Sequence, residues 1–213
     1  MPLSTFFAVS GNREHTYTND QRKVLSRWFW RVSFSQRYSH GTMRNLAQDI
    51  DEIIKLKNGQ PCQLGEFTVT INPDKFKKEK FTLKTVLTST FILILARHNP
   101  INFIDGANIG LEEKLRVCNR REFHHLMPKA YLKESAQNAY SENCLANFCF
   151  ISRANNRLIG GEKPSIYKAK MTGDVAKILE SHVIPPSLFD DNYENFINER
   201  AELLARISEE LCA

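Results

Sequence analysis

The sequence predicts a mainly helical α+β protein with one small strand–strand–helix unit at its centre. Three observations lead there. Apolar residues recur at helical spacing near both ends of the chain. The stretch that carries His124 and His125, closed by Pro128, and the segment 147–151 read as two short strands. Ser152 follows the second strand where a helix N-cap belongs.

The elements follow in order. Thr18 and Gln21 fit a capping box, and the helix they open carries Val24, Leu25, Trp28, Phe29 and Val32 on its apolar positions. Trp28, Phe29 and Trp30 are expected in the core. Arg27, Arg31, Arg37 and Arg44 are expected to face DNA or solvent. A second helix spans 42–57 with Leu46, Ile50, Ile53 and Ile54 as its stripe, and Asn58-Gly59 turns the chain. The alternation Phe67, Val69, Ile71 suits a short strand. A helix over 82–98 stops before Asn99-Pro100. Residues 101–113 read as loop, 129–139 as helix and 153–159 as a helix capped by Ser152. Helices are then expected over 165–171, 173–181 and 190–211. No flexible linker is visible. The expected organisation is a helical flank over 1–100, a central module over 101–164 and a helical flank over 165–213.

Composition marks an ordinary globular chain, with 42% hydrophobic and 25% charged residues among 213. The net charge of +5 conceals an asymmetry. Residues 172–213 hold three basic and nine acidic side chains, which leaves 26 basic and 15 acidic in 1–171. A basic body suits a polyanionic partner such as DNA. Five cysteines without a CxxC pair argue against a disulfide scaffold and a zinc ribbon, and point to a cytoplasmic location. No signal peptide is recognisable, and the most apolar run, 91–96, is too short to span a membrane, so no membrane association is expected.

Function is concentrated in the middle. His124 and His125 are followed by Pro128, and Asn147 and Asn156 lie nine residues apart shortly after. Hydrolysis of a DNA phosphodiester needs a group to deprotonate water and a means of neutralising charge on the leaving oxygen. A neutral histidine and a divalent ion meet those needs. Neighbouring strand residues point to opposite faces, so two adjacent histidines share one site only where the strand ends or bends. Pro128 closes that stretch. Asn156, on the first turns of the following helix, can face the strand that carries the histidines.

The stretch His124-His125-Leu-x-Pro128, with Asn147 and Asn156, resembles the motif of HNH (His-Me finger) endonucleases, whose core is a ββα-metal finger. The blocks Arg27 to Ser39, Phe123 to Lys129, Asn143 to Asn147, Asn156-Arg157, Lys163 to Tyr167 and Ser181 to Pro185 are similar to the C-terminal half of GmrSD-type modification-dependent restriction proteins. The resemblance implies a metal-dependent DNA endonuclease in defence against modified or foreign DNA. It implies His125 as general base, His124 and Asn156 as ligands of one divalent ion (Mg²⁺, Mn²⁺ or Ni²⁺), and Asn147 as the residue that orients His125 or ties the strands. Asn155 is the alternative to Asn156. Arg121, Lys129, Arg157 and Lys163 are the candidate DNA contacts. A ParB-like nucleotide-hydrolysing domain usually precedes this half in the family. No Gly-rich phosphate loop is present here, so that domain is expected as an absent N-terminal part or a separate subunit. The abrupt apolar start favours an excised domain. A homodimer would suit double-strand cutting. The rival expectation is a DNA-binding or subunit-docking module that does not cut.

Overall fold

Thr18 opens the first long helix as its sequence predicts. Its Oγ1 accepts from the Gln21 backbone N–H at 3.1 Å, and its own N–H donates to Gln21 Oε1 at 2.9 Å. The computed structural model describes residues 2–8, 16–117 and 123–213. These fall into two compact units, one of residues up to 71 together with 208–213, the other of 72–207.

The first unit contains α1 (Pro2–Ala8), α2 (Asn19–Ser35) and α3 (Thr42–Lys57), with α1 packed on α3. Phe6, Leu25, Trp28, Ile53, Leu56 and Leu64 form its core. Trp28 and Trp30 are buried as expected, while Phe29 is partly exposed. A buried carboxylate, Asp49, ties α2 to α3. It accepts from Trp28 Nε1 at 3.1 Å and Tyr38 Oη at 2.6 Å, and pairs with Arg37 at 3.0 Å. Burial, reinforced by the bond to Asp49, pushes the Tyr38 hydroxyl well above its ordinary range. Arg27 bonds Glu66 and the Ala213 carbonyl, and Arg31 bonds the carbonyls of Gly65, Phe67 and Cys212. Three of the four arginines expected to face DNA or solvent are therefore engaged inside this unit. The Phe67–Ile71 alternation is not a strand. The Gly65 and Phe67 carbonyls are taken by the Arg31 guanidinium instead of a ladder.

The second unit holds α4 (Asp74–Lys78), α5 (Val86–Arg97), α6 (Leu111–Val117), β1 (Phe123–His125), α7 (Lys129–Glu134), β2 (Phe148–Phe150), α8 (Arg153–Ile159), α9 (Pro164–Tyr167), α10 (Val175–Ser181) and most of α11 (Tyr193–Cys212). α5 begins after Thr85, whose Oγ1 accepts from Thr88 N, so the chain turns at Thr82 before the helix starts. The expected loop over 101–113 ends in α6, and the helix expected over 129–139 stops at Glu134. Among the described residues no helix is long and apolar enough to cross a membrane. The described cysteines are free thiols, with Cys144, Cys149 and Cys212 buried and Cys62 partly so. Cys118 lies outside the described residues.

β1 and β2 pair antiparallel with Phe123 opposite Phe150, His124 opposite Cys149 and His125 opposite Phe148. One face of the pair is aromatic: Phe123 meets Phe150 at 4.7 Å between ring centroids, and Phe148 stacks on Phe81 at 4.3 Å. Phe81 joins this cluster to Phe91 of α5. Aromatic burial of this kind is the main reason a two-stranded element is stable here.

Arg200, on the apolar stripe of α11 between Phe196 and Leu204, is fully buried. Its guanidinium donates to the carbonyls of Val183 (2.9 Å), Ala146 (2.7 Å), Phe148 (2.8 Å) and His182 (3.0 Å). His182 is also buried. Its Nε2 bonds the Ile101 carbonyl at 2.7 Å, and burial pushes its imidazole down to about 4.

Two outcomes follow from these buried groups. Arg200→Met leaves four buried carbonyls without their donor, so unfolding free energy should fall by roughly 3 kcal/mol or more. Arg200→Lys, with fewer and less spread donors, should recover only part of that loss in denaturant titrations. For His182 the folded state resists protonation that the unfolded chain accepts near 6.5. Stability should therefore fall as pH drops from about 6.5 to about 4, by about 3 kcal/mol in total for this group. His182→Gln should remove that part of the pH slope.

Candidate active site

β1 ends at His125. The two residues after it, Leu126 and Met127, are buried, and all four of their backbone polar groups are satisfied. Leu126 N donates to the Asn147 carbonyl at 2.8 Å, and the Leu126 carbonyl accepts from Tyr167 Oη at 2.8 Å. Met127 N donates to Asn147 Oδ1 at 2.9 Å, and the Met127 carbonyl accepts from Asn147 Nδ2 at 3.1 Å. The same Nδ2 reaches the Glu142 carbonyl at 2.9 Å. The Asn147 side chain thus behaves like one more residue of the ladder, extended past the end of β2. Pro128 follows and starts α7, where its missing N–H costs nothing. Asn147 is fully buried and every polar atom of its amide is engaged with backbone. It is a positioning residue that fixes where β1 stops.

His125 stands at that stop. Its ring packs on Phe148, with centroids 4.3 Å apart, and its Nε2 lies 3.3 Å from Asn143 Oδ1. The Asn143 Nδ2 donates to Glu142 Oε1 at 2.8 Å, which sets the orientation of the amide. An amide oxygen only accepts, so His125 Nε2 carries the proton and Nδ1 holds the lone pair. Burial pushes the imidazole down to about 4; the bond to Asn143 and the Glu142 carboxylate oppose that, while Lys129 and His124 add to it. His125 is a neutral base at neutral pH. Glu142 also accepts from Lys129 at 3.3 Å. The structure therefore brings His125, Asn143, Glu142 and Lys129 into one chain of polar contacts.

His124 lies opposite Cys149 on the other face of the strand pair from the aromatic cluster. Ser152 caps α8 by accepting from Asn155 N at 3.1 Å. On α8, Asn155 and Ile159 are buried and Asn156 is half-buried beside them. The Asn155 amide is committed to the preceding loop: its Nδ2 donates to Asn102 Oδ1 at 2.7 Å. Asn102 Oδ1 also accepts from Ile104 N at 2.9 Å, which shapes that loop.

Of the candidate DNA contacts, Lys129 and Lys163 are half-exposed and paired with acids, Lys163 with Asp191 at 3.1 Å. Asp191 in turn holds the start of α9 by accepting from Ser165 N and Oγ. Arg157 is exposed on α8. Arg121 lies outside the described residues. Among those residues no three His, Cys, Asp or Glu side chains form a metal-binding group. An imidazole and an amide are a two-donor set of a different kind.

Asn143, Glu142, Tyr167 and Arg200 take part in building this region without having been assigned site roles from sequence. Arg200 left a signal, a cation at i+4 between Phe196 and Leu204 on an otherwise apolar stripe. Asn143 and Tyr167 stand at the ends of two of the blocks of resemblance, but nothing in their neighbours marks a loop amide or a helical tyrosine that reaches across the fold.

No protein-family model matches the chain, and no solved structure matches it. The uncharacterized protein MJ0686 of Methanocaldococcus jannaschii is 24% identical over 220 residues, covering 87% of this chain and 36% of that protein. The chain thus spans about a third of the length of this relative.

Asn147→Ala should orphan Met127 N, Met127 O and the Glu142 carbonyl together, costing about 2–4 kcal/mol and lowering Tm by roughly 5–15 °C. Asn143→Ala, at a half-buried position between His125 and Glu142, should cost much less stability. It should, however, release the His125 tautomer, which ring ¹⁵N shifts report directly: a spectrum with Nε2 no longer uniquely protonated is expected, and an unchanged one refutes the orienting role.

Proposed function

We propose that this chain is a metal-dependent DNA endonuclease domain of the HNH class, acting in defence against modified or foreign DNA. The observation that carries the reading is the strand end at His125. A neutral, oriented imidazole sits where β1 stops, β2 runs antiparallel beside it, and the Ser152-capped helix with Asn156 follows directly. This order of strand, strand and helix is the one the HNH resemblance implies.

The chemistry divides among named groups. His125 accepts a proton from the attacking water at Nδ1, while Asn143 holds the proton on Nε2. Asn147 and Tyr167 keep the strand end fixed so that His125 does not swing with the loop after it. His124 and Asn156 would hold the divalent ion. Imidazole nitrogen and amide oxygen suit Mn²⁺ or Ni²⁺ at least as well as Mg²⁺, and two protein donors leave positions for water and phosphate oxygens. Once bound, the ion supplies neutralisation of charge on the leaving 3′ oxygen. The commitment of Asn155 to Asn102 favours Asn156 as the far ligand. Arg157 is exposed on α8, as a phosphate contact must be. Lys129 and Lys163 would exchange a carboxylate for a phosphate on binding, and Arg121 completes the proposed set.

The reading includes DNA as substrate and a ParB-like nucleotide-hydrolysing domain or subunit as partner, with a homodimer as the form that cuts both strands. The greater length of the archaeal relative is compatible with such a further domain.

Plasmid nicking with Mg²⁺, Mn²⁺ or Ni²⁺ tests the proposal. The parent should nick with at least one metal, and His125→Ala should lose about 10²–10⁴-fold in rate, the range for a general base. His124→Ala and Asn156→Ala should weaken the metal dependence, and Asn155→Ala should leave it in place while destabilising the fold. A parent that binds DNA in a salt-dependent way but cuts with no metal would overturn the enzyme reading in favour of a DNA-binding module.

A further inference from the structure

A cavity of about 460 Å³ opens beside the polar chain that holds His125. Lys129 and Glu142 line it, and both are close enough to His125 to influence its charge. Lys133, Gln137, Asn138 and Tyr140 add further polar groups to its lining, and Leu132 and Ala136 add apolar ones. The Tyr140 ring is held in place. Its hydroxyl donates to Asn198 Oδ1 at 2.8 Å, and Lys77 Nζ lies 5.7 Å from the ring centroid. Lys133 is exposed and forms no ion pair with any described residue.

A second cavity, of about 480 Å³, lies on the other side of the loop at Ala136–Asn138 and shares those residues. Its remaining wall includes Asp191 and Glu194. The first cavity sets two lysines, Lys129 and Lys133, against the single carboxylate of Glu142, whereas the second has two carboxylates and no lysine or arginine in its lining. Charge therefore directs a polyanionic strand to the cavity beside His125 and away from its neighbour.

We propose that the first cavity receives one nucleotide of the DNA strand adjoining the scissile phosphate, with its base against the Tyr140 ring and its phosphate on Lys133. The proposal rests on the nuclease reading and adds a subsite to it. A pinned aromatic ring is a sequence-tolerant platform for a base, and its fixed orientation lowers the ordering cost of stacking. Asn138 and Glu142 supply a donor and an acceptor at the edge of the same space, where a base presents its exocyclic groups. A nucleotide seated there would hold the next phosphate in line with His125, so the subsite would set the register of the cut.

The test uses the whole chain, labelled with ¹³C in its tyrosine rings, titrated with a 5′-phosphorylated thymidine dinucleotide in EDTA at low salt. The Tyr140 ring signals should shift in a saturable manner. A dinucleotide with one abasic sugar should bind about tenfold more weakly, within the range for loss of one base–aromatic stack. Tyr140→Leu should bind the intact dinucleotide as weakly as the parent binds the abasic one. Lys133→Glu, an exposed change that leaves the core untouched, should weaken both several-fold. Absence of binding, immobile Tyr140 signals during binding, or equal affinity for the intact and abasic forms would each overturn the subsite. Because EDTA suppresses cleavage, the result is independent of the nicking assay. Nicking with no Tyr140 response removes the subsite alone, and a Tyr140 response without nicking removes the catalytic reading alone.

Discussion

One fully buried guanidinium organises the second unit. Arg200 donates to carbonyls on two stretches of chain that are far apart in sequence: Ala146 and Phe148 on one side, His182 and Val183 on the other. A buried cation without a carboxylate is ordinarily costly. Here its partners include carbonyls at the C-terminal end of α10, where the helix leaves unsatisfied acceptors and partial negative charge. Burial lowers the guanidinium to about 10, and it remains charged at neutral pH. Val183 sits in the left-handed region at φ 54, an uncommon conformation for a β-branched residue, and the Arg200 bond to its carbonyl helps hold it there.

The two carbonyls on the other stretch flank Asn147. Arg200 thus fixes the backbone on both sides of the asparagine whose amide closes the ladder past His125. The order of dependence runs from α11 to Asn147, from Asn147 to the strand end, and from the strand end to the imidazole. Arg200, Asn147 and the backbone of Leu126 and Met127 are buried polar groups bonded to one another or to neighbouring backbone, and such networks lose most when one member is removed. The aromatic face adds the apolar half of the same arrangement. Phe81, Phe123, Phe148 and Phe150 surround the His125 side of the strands and supply the low-dielectric environment that keeps its imidazole neutral.

Two helix starts were legible at the residue, Thr18 and Ser152, and each accepts from the backbone N–H three residues on. Thr85 and Asp174 cap in the same way but lie inside the helices expected over 82–98 and 173–181, so those starts came later than the apolar pattern suggested. Ser152 and the boundaries 153–159 could be read from sequence because a cap is a local hydrogen bond. The false strand at Phe67–Ile71 shows the limit of periodicity. Alternation describes side chains, but a strand also needs a partner for its backbone, and Arg31 supplied an alternative. The residues of the candidate site divide in the same way. His124, His125, Asn147 and Asn156 follow a spacing, whereas Asn143 reaches His125 from 18 positions further on, beyond α7, and Tyr167 reaches Leu126 from α9.

The sequence by itself determined the mainly helical character, the capped helices, the central pair of short strands and the asymmetry of charge. All of these depend on neighbours within a few residues or on composition. Tertiary structure alone decided that Asn147 is a buried clasp, that Asn155 belongs to the Asn102 loop, that Asn143 orients the His125 ring and that Arg200 lies in the core. Those outcomes depend on which backbone groups are left without partners once the chain is folded, and that is known only when distant segments meet.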